Sequence, residues 1–374
     1  MCIGAGMRDC CSTNTKVQTP TCCSFKPEWV LGNMETSAGE VQCVSTEWSW
    51  ADRIGLIKSR ISAFRMHYSV SPGLYAVGEP DEKCDVFVTA NYKLSFDILR
   101  GALKGMNAWV LILDTQGINV WCAAGKGTFG AEELIRRIRE CQLDKIVNHK
   151  RVIVPQLGAS GVSAHRVRQE SGFRVCFGPV YARDIPAYLC AGYKSSREMR
   201  TIKFSILDRL ALTPMEILPA MKHYFIYALL ILVIFGFQPG GLGWGKVWAG
   251  GSPFLFLGLV SIFSGVFITP LLLPFIPSRA FALKGWITGM ILIFTALRLI
   301  DLPQLGHGLL VLFSYLFFPA VSSYLALQFT GSTPFTGRSG VEKELKTAVP
   351  VYITALSVSL ILIIVYQLKQ WGVV

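Results

Sequence analysis

The chain has 374 residues and a formal net charge of +12, with 52% hydrophobic and 16% charged residues. Soluble globular proteins usually have about a quarter of their residues charged, so this composition excludes a wholly soluble chain. The basic residues are scattered without an RNA-binding or helix-turn-helix signature, and we expect no nucleic-acid partner. The charge instead suits the anionic cytoplasmic leaflet of a lipid bilayer or an acidic electron carrier. Long apolar runs after Lys222 predict a soluble domain followed by a membrane domain.

Residues 1–50 show neither a helical nor a strand period, and we interpret them as a flexible leader. No secretory signal precedes them, so we expect a cytoplasmic setting with reduced thiols. The spacing of these thiols is not the CxxC of a zinc site, and we assign them no role. Five cysteines lie within residues 1–26, and we call them the leader cysteines: Cys2, Cys10, Cys11, Cys22 and Cys23.

Residues 51–195 alternate strand-like and helix-like patterns. Helical periods occur at 93–103 and 130–143, and the strand-like runs are 85–90, 108–115, 151–156 and 173–178. Near-continuous Val, Ile and Leu strands joined by helices predict a parallel sheet covered on both faces, which is a Rossmann-like α/β domain. Ligands of such sheets bind at the carboxyl ends of the strands. We therefore expect the chemistry in the loops after Thr89, Asp114, Pro155 and Phe177.

Residues 196–222 are basic and partly amphipathic, and we interpret them as a linker. Residues 223–374 are predicted to form an all-α transmembrane domain of five helices, because each apolar run approaches the roughly 20 residues that cross a bilayer. The predicted spans are about 217–237, 253–276, 285–301, 307–329 and 349–369.

Charged residues near the spans predict their orientation. Basic residues cluster before the first span and in alternate loops, at Arg209, Lys222, Arg279, Lys284, Arg338, Lys343 and Lys346. The positive-inside rule then places the soluble domain in the cytoplasm and the C-terminus outside. Within the spans, Arg298 and Asp301 lie near one end and could pair, which favours an anchor over a transport pathway.

The segment after the second predicted strand allows three interpretations. Gly125, Gly127 and Gly130 fit the GxGxxG of a dinucleotide site, but the next strand is not closed by a ribose-binding acid. A Walker A loop is excluded, because Val120 stands where its first glycine is required. Alternatively, Trp121 and Cys122 are ordinary buried residues, although this loop lies at the ligand-binding edge of the sheet.

The third interpretation is a family resemblance. NVWCAAGK, at 119–126, resembles over eight positions the signature of mercury-methylating corrinoid proteins, a helix that caps the lower face of the corrin ring. The soluble domain is similar to the corrinoid-binding domain of the corrinoid iron–sulfur protein of the acetyl-CoA pathway. Five spans after such a domain are typical of the mercury methylators, whereas the cysteine-rich leader is not. The resemblance implies that Cys122 is the lower axial ligand of cobalt in a cobalamin-type corrinoid.

The implied reaction is methyl transfer to inorganic Hg(II), giving methylmercury. Because Hg(II) is an electrophile, it requires a carbanion or a radical rather than a methyl cation. An anionic sulfur on the opposite side of the metal donates electron density, as thiolates do under haem iron. We therefore expect Ser or Ala at position 122 to abolish the reaction.

Other residues are expected to support the cofactor. Ala123, Ala124 and Gly125 allow the backbone to approach the macrocycle, and Asn119 can hold the loop by local hydrogen bonds. Trp121 is expected to pack against the cap, and Lys126 to neutralise the thiolate or a corrin side chain. The resemblance and position along the strands add these candidate contacts: Thr89, Asn91, Val120, Gln156, Gly158, Ala159, Gly161, Gly178 and Pro179.

The resemblance also implies partners. A ferredoxin-like protein with two [4Fe–4S] clusters is expected as the reductant. This chain lacks the C-x₂-C-x₂-C run of such clusters, so we expect them on the partner only. A methyl-donor protein or a methyl-folate supplies the methyl group, and the implied setting is the inner membrane of an anaerobe. Two alternatives remain: a membrane-anchored corrinoid carrier of one-carbon metabolism with another acceptor, and a membrane NAD-binding enzyme.

Overall fold

The computed structural model describes residues 27–236, 244–299 and 308–373. The five leader cysteines and Asp301 lie outside these ranges, and so does the proposed pairing of Arg298 with Asp301. The described chain consists of an α/β domain and a group of long apolar helices.

A seven-stranded sheet forms the centre of the α/β domain, with the strand order β1-β2-β3-β5-β4-β6-β7. The neighbours among β4, β5, β6 and β7 pair in parallel, which confirms the four strands predicted from the sequence. Every residue of β4 and β5 is buried, as their continuous apolar runs require. The strands are β1 (Val30–Thr36), β2 (Gly39–Val44), β3 (Gly73–Val77), β4 (Val86–Ala90), β5 (Ala108–Leu113), β6 (Arg151–Val154) and β7 (Arg174–Phe177).

Three strands were missed, and two of them correct the predicted leader. Residues 30–44 form an antiparallel hairpin, β1 and β2, so the leader interpretation is wrong for this part of residues 1–50. β3 pairs antiparallel with β5, which makes the sheet mixed rather than wholly parallel. After the buried Val30, β1 alternates exposed and partly buried residues along one edge of the sheet, so it lacks the continuous apolar run by which the central strands were recognised.

Helices cover both faces of the sheet. One face packs Leu111 of β5 against Leu134 and Ile138, and the other packs Val110 against Phe96 and Tyr188. The helices are α1 (Trp50–Ile61), α2 (Lys93–Ala102), α3 (Val120–Lys126), α4 (Ala131–Glu140), α5 (Leu143–Ile146), α6 (Ala164–Ser171) and α7 (Ile185–Cys190).

A buried network of charges joins α1, α2 and the end of the hairpin. Arg100, which is fully buried, donates to Asp97 at 2.7 Å and to Asp52 at 2.5 Å. Lys93 lies 2.8 Å from the same Asp52 carboxylate. Arg100 also donates to the carbonyl oxygens of Ser45 and Glu47, at 2.6 and 2.7 Å. Each buried charge thus has a close partner, which offsets its desolvation.

Within the described residues, five helices are long and apolar enough to cross a membrane, which confirms the predicted number of spans. They are α8 (Ile206–Gly236), α9 (Trp244–Ile262), α11 (Phe281–Leu299), α12 (Gly308–Gln328) and α13 (Arg338–Gln370). A π-helical segment, Phe263–Ile268, and the short α10 (Thr269–Leu271) continue α9.

The predicted linker, residues 196–222, is partly helical. α8 begins at Ile206 and runs without a break into the first span, so the expected boundary at residue 223 lies inside a helix. Two prolines, Pro214 and Pro219, lie inside this helix, although proline lacks the backbone donor of a helical hydrogen bond. The helix accommodates Pro214 because the Thr213 hydroxyl donates to the Leu210 carbonyl at 2.9 Å.

Small residues bring α11 and α12 into close contact. A Cβ atom added to Gly285 would lie 2.4 Å from the Ala326 Cβ, so only glycine permits this packing. The Ser322 hydroxyl donates to the Gly285 carbonyl at 2.8 Å, and the Ser323 hydroxyl donates to the Ala282 carbonyl at 2.6 Å. Such close contacts are the usual means of helix association in membranes, and they fix the position of α12.

Replacement of Arg100 tests the charge network. In Arg100→Met, the buried carboxylates of Asp52 and Asp97 keep Lys93 as the one cation of this network. We therefore expect the free energy of unfolding to fall by about 3–5 kcal/mol. Urea unfolding of the detergent-solubilised chain measures this change. Lys104→Met, which removes an exposed ion pair with Glu47, is the matched control and should change little. Equal effects of the two substitutions would contradict the assignment.

Candidate functional site

Asn91, directly after β4, holds the loop between β5 and α3. Its side-chain oxygen accepts from the backbone amides of Thr115 and Gly117, at 3.1 and 2.9 Å. Its side-chain nitrogen donates to the Asp114 carboxylate at 3.2 Å. Gln116, between the two bonded amides, has φ +58°, which residues other than glycine seldom adopt. The buried Asn91 carboxamide therefore supports a strained loop at the carboxyl edge of the sheet.

The same loop leads into α3, which carries the NVWCAAGK motif. The Thr115 hydroxyl lies within hydrogen-bonding distance of the Asn91 side-chain oxygen (2.8 Å) and the Ile118 carbonyl (2.6 Å). The Asn119 side-chain oxygen then accepts from the Cys122 backbone amide at 2.9 Å and caps the helix. Gly127 ends α3 with φ +85°. Thus Asn119 holds the loop as predicted, through a bond to the backbone of Cys122 itself.

α3 presents two different faces. Val120, Ala123 and Ala124 are buried against the domain, whereas Gly125 and Lys126 are exposed. Trp121 is 39% exposed, and Cys122 is a partly exposed free thiol. The interpretation of Trp121 and Cys122 as ordinary buried residues is therefore wrong.

The glycines of the GxGxxG pattern do not occupy the turn that a dinucleotide site requires. Gly125 lies within α3, Gly127 is the C-cap of α3, and Gly130 is the N-cap of α4. The dinucleotide fingerprint needs its first glycine in the tight turn directly after a strand, but here the Asn91-bonded loop and most of α3 intervene. This geometry argues against the NAD-binding alternative.

Two of the predicted contact residues pack beneath α3. A Cβ atom added to Gly161 would lie 2.2 Å from the Phe129 carbonyl oxygen and 3.1 Å from the Ala124 Cα. A Cβ atom added to Gly158 would lie 2.4 Å from the Phe129 ring. Both glycines therefore let the loop after β6 approach the residues that support α3.

A cleft of about 390 Å³ opens beside α3, at the carboxyl ends of β4, β6 and β7. Its walls are largely apolar, with Ile98, Leu99 and Ile153 among them. The structure thereby brings together six residues predicted from the sequence, namely Thr89, Asn119, Val120, Trp121, Gly178 and Pro179. Gln156 and Ala159 are partly buried in the loop after β6 and do not line this cleft.

A second space, of about 500 Å³, lies on the other side of α3. Trp121, Cys122 and Gly125 form its wall on the α/β domain. The opposite wall belongs to the membrane domain and was missed in the sequence analysis; it consists of Thr330, Gly331, Thr333, Thr336, Gly337, Val341 and Glu342. The repeated Thr-Gly pairs of this segment, FTGSTPFTG, were the available signal.

Two other thiols of the α/β domain have a raised pKa. Burial raises the pKa of the Cys141 thiol, which keeps it protonated. Burial and a hydrogen bond with Asp81 raise the pKa of the Cys84 thiol. Neither of these cysteines lines the cleft or the second space. Cys122 is the cysteine that these two spaces single out.

Comparison with known proteins gives a match that coincides with this domain. Residues 61–189 match the family described as CO dehydrogenase/acetyl-CoA synthase delta subunit. The chain is 32% identical over 130 residues to the acetyl-CoA decarbonylase/synthase complex subunit gamma of Archaeoglobus fulgidus. This match covers 33% of this chain and 27% of that protein. It is 30% identical over 128 residues to the corrinoid/iron-sulfur protein large subunit of Moorella thermoacetica, and this match covers 34% of this chain and 28% of that protein.

These matches cover about a quarter of the length of the curated relatives. The matched residues contain β3 to β7 and helices α2 to α6. They therefore include α3 and the loops after β4, β6 and β7 that border the cleft. The α/β domain is therefore related to a domain of corrinoid and acetyl-CoA synthase proteins.

Replacement of Asn91 tests how the loop is held. In Asn91→Ala, the amides of Thr115 and Gly117 lose their acceptor, and we expect a loss on the order of 2–4 kcal/mol in unfolding free energy. Hydrogen exchange should accelerate at these two amides before the rest of the sheet opens. Asn33→Ala, which removes an exposed hydrogen bond to Glu40, is the control. Unchanged exchange at both amides would show that Asn91 does not hold the loop.

Proposed function

We propose that the α/β domain binds a cobalamin-type corrinoid with the Cys122 thiolate as lower axial ligand, and transfers a methyl group to inorganic Hg(II), producing methylmercury. The observation that carries this proposal is the position of Cys122. It is a partly exposed free thiol on a capped helix at the carboxyl edge of the sheet. The domain around it is similar to that of a protein named as a corrinoid/iron-sulfur protein.

The residues around Cys122 fit a metal that is carried in a flat macrocycle. A bare soft metal ion normally takes three or four protein ligands, whereas α3 offers a single sulfur. A Cβ atom added to the neighbouring Gly125 would meet no atom within 4 Å, so a flat group can approach this face of the helix. The adjoining cleft offers largely apolar walls for the remainder of the cofactor.

The residues of α3 then have distinct roles. The sulfur of Cys122 donates electron density to the metal, and the Asn119 cap fixes the backbone from which that sulfur projects. Lys126, exposed in the last turn, supplies a positive charge close to the thiolate or to a corrin side chain. When bound, the corrinoid supplies a methyl group that can leave together with its bonding electrons, which is the form that electrophilic Hg(II) accepts.

The loops after the other strands are proposed to hold the outer parts of the cofactor. Thr89, Gly178 and Pro179 line the cleft, which supports their proposed contact with the cofactor. Gln156 and Ala159 border the same edge from the loop after β6. Asn91, Gly158 and Gly161 support this surface from below, through the loop of Asn91 and the packing against Phe129.

Substitution of Cys122 tests the proposal. Cys122→Ala should remove sulfur-dependent features from the visible spectrum of the cobalamin-loaded chain and lower methylmercury formation at least 100-fold, because sulfur no longer donates to the metal. Cys190→Ala, at an exposed thiol outside the site, is the matched control and should leave both unchanged. Normal methylmercury formation by Cys122→Ala would refute the proposed mechanism.

A second candidate is a membrane-anchored corrinoid carrier of one-carbon metabolism with another acceptor. The names of the relatives favour it, because they are subunits of acetyl-CoA decarbonylase/synthase complexes. Deletion of the gene from its host distinguishes the two candidates. Loss of mercury methylation on deletion, and its return on complementation, supports the first candidate; unchanged methylation with altered growth on one-carbon compounds supports the second.

The proposed setting is the cell inner membrane, with the α/β domain in the cytoplasm. A ferredoxin-like protein with two [4Fe–4S] clusters is the proposed reductant, and a methyl-donor protein or methyl-folate the proposed source of the methyl group. With all five long apolar helices spanning the bilayer, as we propose, the α/β domain and the end of α13 lie on opposite sides of it. The basic residues Arg279, Lys343 and Lys346 lie in segments that share a side with the α/β domain under this arrangement.

Fusion proteins test this orientation. Alkaline phosphatase joined to the C-terminus should be active, because that enzyme folds outside the cytoplasm, and a fluorescent protein that matures only in the cytoplasm should be dark there. The same reporters joined after residue 236, at the outer end of α8, provide a positive control on the same side. An inactive phosphatase fusion together with a bright fluorescent fusion at the C-terminus would contradict the proposed topology.

A further inference from the structure

The open space beside Cys122 is bordered by two domains. On one side are Trp121, Cys122 and Gly125 of α3. On the other is the segment that we call the roof, residues 330–342, which connects α12 to α13 and includes the first turn of α13. The roof lies about 200 positions further along the chain, so only the folded arrangement of the membrane domain brings it to Cys122.

The roof contains several threonines and one carboxylate within a largely apolar surface. Thr330 and Thr333 are buried, at 8% and 1% exposure, and Thr336 and Glu342 line the same space. The Thr330 hydroxyl donates to the Leu327 carbonyl at 2.7 Å, and the Thr333 hydroxyl accepts from the Phe335 amide at 3.2 Å. These bonds order the segment, so it forms a defined wall.

The roof is also tied to the rest of the molecule. The Phe335 ring meets the Phe204 ring edge to face, with centroids 5.4 Å apart, which joins the roof to the segment before α8. On α13, the Glu344 carboxylate accepts from the Ala282 amide at 2.5 Å, at the start of α11. These contacts fix the roof both to the chain that leaves the α/β domain and to the helices in the membrane.

We propose that the roof is the second wall of the Cys122 site, so that the group bound by the thiol is enclosed jointly by the α/β domain and the membrane domain. This inference rests on the proposed function for the identity of that group. A corrin ring is rimmed by amide side chains, with which the Thr336 hydroxyl and the Glu342 carboxylate of this wall can form hydrogen bonds. The membrane domain is then part of the binding site as well as the anchor.

Two glycines allow the space to be filled without disturbing the surrounding packing. A Cβ atom added to Gly331 or Gly337 would meet no atom within 4 Å. A large side chain at Gly331 therefore occupies the space rather than clashing with the protein. Gly308, at the other end of α12, has equally open surroundings and lies outside the site, so it is the matched control.

The first experiment tests proximity and requires no cofactor. Thr336→Cys is introduced into the full chain in membrane vesicles, which are treated with a short bifunctional maleimide, and cross-linked peptides are identified by mass spectrometry. We expect a 122–336 cross-link. Thr347→Cys, exposed on α13 five residues (about one and a half turns) beyond the roof, should give at least tenfold less cross-link to Cys122. Equal yields from the two variants would overturn the proposal.

The second experiment measures the affinity of the purified full chain for hydroxocobalamin by its visible spectrum. We expect Gly331→Trp to weaken binding at least tenfold and Gly308→Trp to leave it unchanged. Equal cobalamin affinity of the two variants overturns the proposal that the roof is the second wall of the Cys122 site. It leaves the proposed function intact. Conversely, the unsubstituted chain could bind no cobalamin while Thr336→Cys still gives the 122–336 cross-link. That result overturns the proposed function and supports the joint enclosure of Cys122.

Discussion

The hydrogen bonds of the Asn91 carboxamide are the constraint on which the site depends. They join the end of β4 to the loop after β5 and hold Gln116 at a positive φ that it seldom adopts unaided. The loop so held delivers Asn119, whose side chain caps α3 through the backbone of Cys122. Asn91 and Asn119 therefore fix the direction in which the Cys122 thiol projects. Neither asparagine needs to touch a ligand to do so.

Much of the α/β domain was predictable because its signals are local. The runs that became β4 to β7 are apolar and short, and parallel strands place their carboxyl ends together at one edge. That rule predicted that the loops after Thr89, Asp114 and Phe177 share one edge, where Thr89, Trp121 and Gly178 line one cleft. The five spans were equally accessible, because length and hydropathy suffice to recognise them.

The parts that were missed depend on contacts between distant residues. The hairpin at residues 30–44 lies at the edge of the sheet, where exposed residues interrupt the apolar run. The roles of Gly158 and Gly161 became visible only with Phe129 and Ala124 packed above them. Asn91 was expected to contact the cofactor, whereas both ends of its carboxamide bind the chain. The roof near Cys122 has no local signature beyond its composition.

The prolines of α8 have a mechanical consequence. Pro214 and Pro219 lie less than two turns apart and remove two backbone hydrogen bonds from one helix, although the Thr213 hydroxyl compensates at one carbonyl. Bending stiffness is lowest where such bonds are missing, and the first span predicted from the sequence begins close by, at about residue 217. We therefore expect tilting of the α/β domain relative to the rest of α8 to be concentrated there. Such tilting would widen the gap between the α/β domain and the membrane helices and let the proposed corrinoid enter without unfolding of either domain.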